Sequence, residues 1–120
     1  MALGVYIVGF GAGTFNHVAD IWRSGWLPYR FAPIGLNMFW TALTVLDPLV
    51  VVALAAGWRR AGLGLAAAIM VADVGINSYA AHRFGWDFGA ALPLQSAFLG
   101  FVLGSAAFLW PDRKKPGAPA

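Results

Sequence analysis

Four apolar runs of about 20 residues constrain this chain more than any other feature. They extend over about 3–23, 36–57, 62–82 and 91–110, and each is long enough for a helix to cross roughly 30 Å of hydrocarbon. None of the runs shows the alternation of apolar and polar residues that is typical of a strand. In lipid, only helices and closed barrels satisfy the hydrogen-bonding groups of the backbone. We therefore predict an all-α membrane protein, a compact four-transmembrane-helix bundle, with helix 2 kinked at Pro48 because proline cannot donate to the preceding turn.

The composition agrees with this class and excludes several others. Of 120 residues, 60% are hydrophobic and 11% are charged, whereas soluble domains carry about 25% charged residues. The absence of cysteine removes disulfides and thiolate chemistry. The net charge of +3 comes from Lys and Arg residues beside the apolar runs or in the tail, a pattern of membrane orientation. We predict the lipid bilayer as a partner and no nucleic acid.

The distribution of basic residues predicts the orientation. We take 1–110 as a single four-span domain and 111–120 as a short disordered cytoplasmic tail. The first run exceeds a typical signal core, which favours a retained span, with cleavage near Ala12 as the alternative. Because basic residues favour the cytoplasm, we predict a multi-pass protein, in the inner membrane if bacterial, with both termini cytoplasmic. Five basic residues lie on the side of the membrane that holds the termini, and three lie on the opposite side. The first set is Arg59, Arg60, Arg113, Lys114 and Lys115, and the second is Arg23, Arg30 and Arg83.

Polar side chains inside the spans are the candidate functional residues, because an Asp at mid-helix costs ~2.5–3.5 kcal/mol on the insertion scale. Helical spacing puts Trp40, Thr44 and Asp47 on one stripe of helix 2. Counting ~1.5 Å per residue places the polar groups of four helices in one half of the bilayer. We therefore predict a pocket open to the non-cytoplasmic side and lined by Asn16, His17, Asp20, Trp40, Thr44, Asp47, Asp73, Asn77 and Gln95.

Three functions fit this pocket. The first is a binder or carrier of a small lipophilic or cationic ligand, or of protons, with Asp47 and Asp73 as counter-charges. The second is a membrane-embedded acid/base enzyme, such as an isomerase of a lipid-like substrate, in which His17 and Asp20 move a proton. The third is a structural subunit of a larger complex or a homo-oligomer. We expect no cofactor and no metal, since the two histidines are predicted on different helices.

The chain resembles the EXPERA proteins, the sterol-isomerase and sterol-receptor group, in three features. These are the four spans, the early His17 with Asp20, and the acidic Asp47 directly before Pro48. The resemblance implies a compact four-span bundle with buried acidic groups, in accord with the acid/base enzyme. It covers these positions alone, and we do not assign the chain to that family.

Overall fold

The computed structural model describes residues 2–111. In that range the chain forms four α-helices and no strands: α1 (Ala2–Ser24), α2 (Ile34–Ala55), α3 (Arg59–Phe84) and α4 (Ala91–Leu109). All four are long and apolar enough to span a membrane, which confirms the predicted class and number of helices. Helix α2 continues through Pro48, and the kink there stays a prediction. The predicted tail lies outside the described residues except for Pro111.

The helices pack in chain order, α1 on α2, α2 on α3 and α3 on α4. Tyr6 links the first helix to the last: its hydroxyl donates to the Val102 carbonyl at 3.0 Å and lies 2.8 Å from the Ser105 hydroxyl. Tyr6 and Val102 are fully buried. Large apolar side chains such as Val8 and Phe108 remain exposed on the outside, as lipid-facing surfaces require.

Helix α3 begins at Arg59, three residues before the apolar run predicted over about 62–82. Gly57 has a φ of 85°, a left-handed conformation that reverses the chain directly after α2. The amide of Trp58 then donates to the carbonyl of Ala53 at 2.8 Å, as in a Schellman motif. The tight turn lets α3 begin at once, so the arginine lies in its first helical turn.

Segments 25–33 and 85–90 connect α1 to α2 and α3 to α4, and they form one end of the bundle, here called the loop face. Asn37, buried near the start of α2, fixes the first of these segments. Its Oδ1 accepts from the Tyr29 amide at 3.0 Å, and its Nδ2 donates to the Leu27 carbonyl at 3.1 Å. The side chain of Tyr29 is thereby held beside the ends of α1 and α2.

Candidate ligand-binding cavity

A cavity of about 590 Å³ lies at the loop face, where the ends of the helices meet the two connecting segments. We call it the loop-face cavity. Sequence reasoning predicted six of its lining residues, and six more come mainly from the connecting segments. The lining consists of His17, Asp20, Tyr29, Phe31, Trp40, Asp73, Asn77, Gly85, Trp86, Asp87, Phe88 and Gln95.

Asn77 joins three helices in the floor of this cavity. Its Oδ1 accepts from the Trp40 indole at 2.8 Å. Its Nδ2 donates to Asp73 Oδ1 at 3.0 Å and to Gln95 Oε1 at 2.9 Å. One amide therefore uses its acceptor and both donors to orient a tryptophan, a carboxyl group and a glutamine. These polar groups fix the helices and also line the cavity.

Tyr29 bridges His17 and Asp20 on one turn of α1. Its hydroxyl donates to Asp20 Oδ2 at 2.7 Å and lies 2.8 Å from His17 Nδ1. Burial and the hydrogen bond to Asp20 raise the pKa of Tyr29 above its ordinary value, which favours the protonated phenol. Because that proton is directed to Asp20, the oxygen accepts from His17 Nδ1; a neutral imidazole in this tautomer carries its lone pair on Nε2.

Aromatic rings form the wall of the cavity. Trp40 lies at its centre, with ring centroids 5.5 Å from Tyr29, 6.2 Å from Phe31, 6.3 Å from Trp86 and 6.4 Å from Phe88. The Tyr29 and Phe88 rings meet it edge to face, at 75° and 73°. The five rings therefore form one aromatic wall, a type of surface that binds small cations through the face of a ring.

The charges of the lining are acidic. Asp20, Asp73 and Asp87 contribute three carboxyl groups, and no Lys or Arg occurs among the described residues that line the cavity. Arg30 on the loop face lies 3.4 Å from the Trp26 carbonyl. Arg83 lies over the Phe84 ring at 5.5 Å. Over residues 2–111, no group of three or more His, Asp or Glu side chains could hold a metal ion.

A second space of about 330 Å³, the inner cavity, lies deeper in the bundle and holds the remaining acidic residue of the spans. Asp47 and Asn16 line it together with His17, Asp73 and Gln95, which also line the loop-face cavity. Asp47 is 6% exposed. Its Oδ2 faces Gly13, where a Cβ atom would lie only 2.5 Å away. The carboxyl group fits between α1 and α2 because Gly13 has no side chain.

Thr44 is the predicted pocket residue that lies apart from the others. It lines a shallow groove with Val18, Ile21 and Trp22, between α1 and α2. Its hydroxyl is buried and has no hydrogen-bond partner in the described part of the chain. At about 100° per residue, positions 40, 44 and 47 lie within roughly 60° of one another around the helix. The structure places Trp40 and Asp47 at the two cavities, while Thr44 faces the groove.

The residues that sequence reasoning missed lie in the loops. Tyr29, Phe31, Trp86, Asp87 and Phe88 line the cavity but do not belong to the predicted pocket. The available signal was the density of aromatic residues in two short segments predicted on the same side of the membrane. Helical periodicity cannot detect such residues, because it does not extend into irregular segments.

Comparison with known proteins finds no matching family model, no matching curated protein and no matching solved structure. The resemblance to the EXPERA proteins therefore stays a prediction from the residues named above.

Proposed function

We propose that this membrane protein binds small organic cations in the loop-face cavity and carries or presents them within the membrane. One observation carries the proposal: a cavity of about 590 Å³ lined by three carboxyl groups and five aromatic rings. Its volume lies within the range of roughly 300–1,000 Å³ typical of small-molecule sites. The cavity opens to the non-cytoplasmic side if the predicted orientation holds.

The chemistry of the lining favours a cation over a neutral or anionic ligand. A cation over an aromatic face gains roughly 0.5–1 kcal/mol at exposed sites and about 2 kcal/mol when desolvated. The carboxyl groups of Asp20, Asp73 and Asp87 supply negative charge, whereas an anion would meet repulsion. An intramembrane acidic residue with no basic partner beside it is typical of a counter-ion for a ligand.

Calorimetric titration with choline tests this proposal on the full chain in nanodiscs of an uncharged galactolipid. Choline should bind saturably, and dimethylbutanol, its isostere with carbon in place of nitrogen, should bind at least roughly tenfold more weakly. Asp73→Asn should weaken choline binding by about tenfold. Trp86→Ala should weaken it by roughly three- to thirtyfold.

Ser96→Ala is the matched control, because Ser96 is exposed on α4, bonds only to the Leu92 carbonyl and does not line the cavity. It should bind choline like the wild type. Equal binding of choline and dimethylbutanol, or no effect of Asp73→Asn, would contradict a cation site.

The hydrogen-bonded chain from His17 through Tyr29 to Asp20 supports a second candidate, an acid/base enzyme. His17 Nε2 is available as a proton acceptor, and Asp20 can stabilise the charge that develops along the chain. Such an enzyme should incorporate deuterium from heavy water into a component of a lipid extract, which mass spectrometry detects. His17→Asn should abolish that incorporation. If the wild type incorporates none, the binding protein remains the better account.

A further inference from the structure

Three neighbouring spaces in this protein share lining residues. The loop-face cavity and the inner cavity share His17, Asp73 and Gln95. The inner cavity in turn shares Gly9 and Phe98 with a groove of about 520 Å³ on the outside of the bundle. That groove, here called the α1/α4 groove, is almost wholly apolar and is lined by Gly4, Val5, Val8, Gly9 and Phe98. The three spaces, together called the path, follow one another from the loop face to the outer surface near the other end of α1.

The path reaches lipid through a gap between the first and last helices. The contacts that close α1 against α4 come from long side chains near one end, through Tyr6 on Val102 and Phe98 on Phe10. Toward the loop face, Ala12, Asn16 and Leu94 line the inner cavity and are exposed to the surroundings. A cavity whose lining is exposed between two spans opens sideways into the bilayer.

The polar end of the path holds the carboxyl group of Asp47 beside that of Asp73. Asp47 is 94% buried, lines the inner cavity and makes no hydrogen bond to another described residue, although the adjacent Asp73 is bonded to Asn77. The described lining of the inner cavity contains no Lys or Arg. A cation held at Asp73, where the two cavities meet, would interact favourably with the carboxyl groups of both Asp73 and Asp47.

We propose that the ligand is a single-chain amphiphile with a cationic head, and that it reaches the protein from the bilayer between α1 and α4. This rests on the proposed function, because the head lies among the same carboxyl groups, at Asp73 where the two cavities meet. The chain passes Phe98 and lies in the α1/α4 groove. From Asn16 to Gly4 the helix rises by about 18 Å, which an extended chain of roughly 14 carbons spans.

Photo-crosslinking with an alkyltrimethylammonium probe of roughly 14 carbons, carrying a diazirine at the end of the chain, tests the path. The full chain in galactolipid nanodiscs should be labelled in the α1 segment Gly4–Val8 and near Phe98. Excess choline should suppress the labelling, because it competes for the head. Gly4→Phe should reduce labelling of these segments by roughly fivefold, because the position has no neighbour within 4 Å and the ring fills the groove.

Val8→Trp, at an exposed position, is a second blocking variant. Gly104→Phe is the matched control, since Gly104 also has no neighbour within 4 Å but does not line the groove, and its labelling should equal that of the wild type. Labelling spread over the outer faces of all four helices, labelling that choline does not suppress, or no effect of either blocking variant would overturn the inference. Choline titrated separately would then still report on the proposed function, and failure of choline itself to bind would refute both.

Discussion

Asn77 is the residue on which most of the polar layer depends, because it bonds to Trp40, Asp73 and Gln95 on three helices. Asn77→Ala leaves the buried indole N–H of Trp40 without an acceptor. We expect the free energy of unfolding in detergent micelles to fall by about 1–3 kcal/mol. Ser96→Ala, which affects an exposed hydroxyl, should change it by less than about 0.5 kcal/mol. Equal stability of the two variants would mean that water replaces Asn77 in the network.

Ionisation of Tyr29 makes the stability of the fold depend on pH. Burial and Asp20 raise the pKa of Tyr29, so the fold favours the protonated phenol. Its contribution to stability is present in full below pH about 10, the ordinary tyrosine pKa, and is lost as the pH rises through the raised value. In an ultraviolet absorbance titration, Tyr29→Phe and the wild type should therefore ionise with equal amplitude up to pH about 11. A smaller amplitude for Tyr29→Phe would show that this phenol ionises normally.

Packing of α1 on α2 depends on Gly13, whose missing side chain accommodates the Asp47 carboxyl group. Gly13→Ala should destabilise the protein by about 1–3 kcal/mol, because its methyl group forces the carboxyl group to move. Gly11→Ala is the matched control, with no neighbour within 4 Å, and it should be neutral or stabilising by roughly 0.5–1 kcal/mol. Both are measured by equilibrium unfolding.

Adding Asp47→Ala to Gly13→Ala should recover part of the loss, since the two groups are in contact and their effects are not additive. If the Gly13→Ala variant were as stable as the Gly11→Ala variant, the close contact between α1 and α2 would be contradicted.

The sequence predicts the helices, but it predicts only those residues of the cavity lining that lie in helices and not those in the connecting segments. Hydropathy and length define the spans, and helical spacing placed Trp40 and Asp47 on one inward face, as the structure has them. The same spacing included Thr44, which lies on the α1–α2 surface instead. Tyr29 could not be placed, because its position depends on hydrogen bonds from Asn37 to the connecting segment. Such tertiary contacts produce no periodic pattern in the sequence.

At the scale of the whole molecule, the orientation is the least constrained prediction, since it depends on five basic residues against three. The chain has no cysteine, so Ala90→Cys and Ala56→Cys each introduce a unique thiol. Both positions are exposed, on opposite ends of the bundle. With both termini cytoplasmic, a membrane-impermeant maleimide added to intact cells should label position 90 and spare position 56. The reverse pattern would invert the topology and make the loop-face cavity cytoplasmic.

Nuclear magnetic resonance of the tryptophan indole groups tests the central claim, binding of a cation in the loop-face cavity, most directly. Trp40 and Trp86 line that cavity, whereas Trp22, Trp26, Trp58 and Trp110 do not. On titration with choline, the N–H signals of the first two should shift together and saturate at one affinity, while the other four stay in place. Unchanged signals of Trp40 and Trp86, or equal shifts of all six, would contradict a cation site at the loop face.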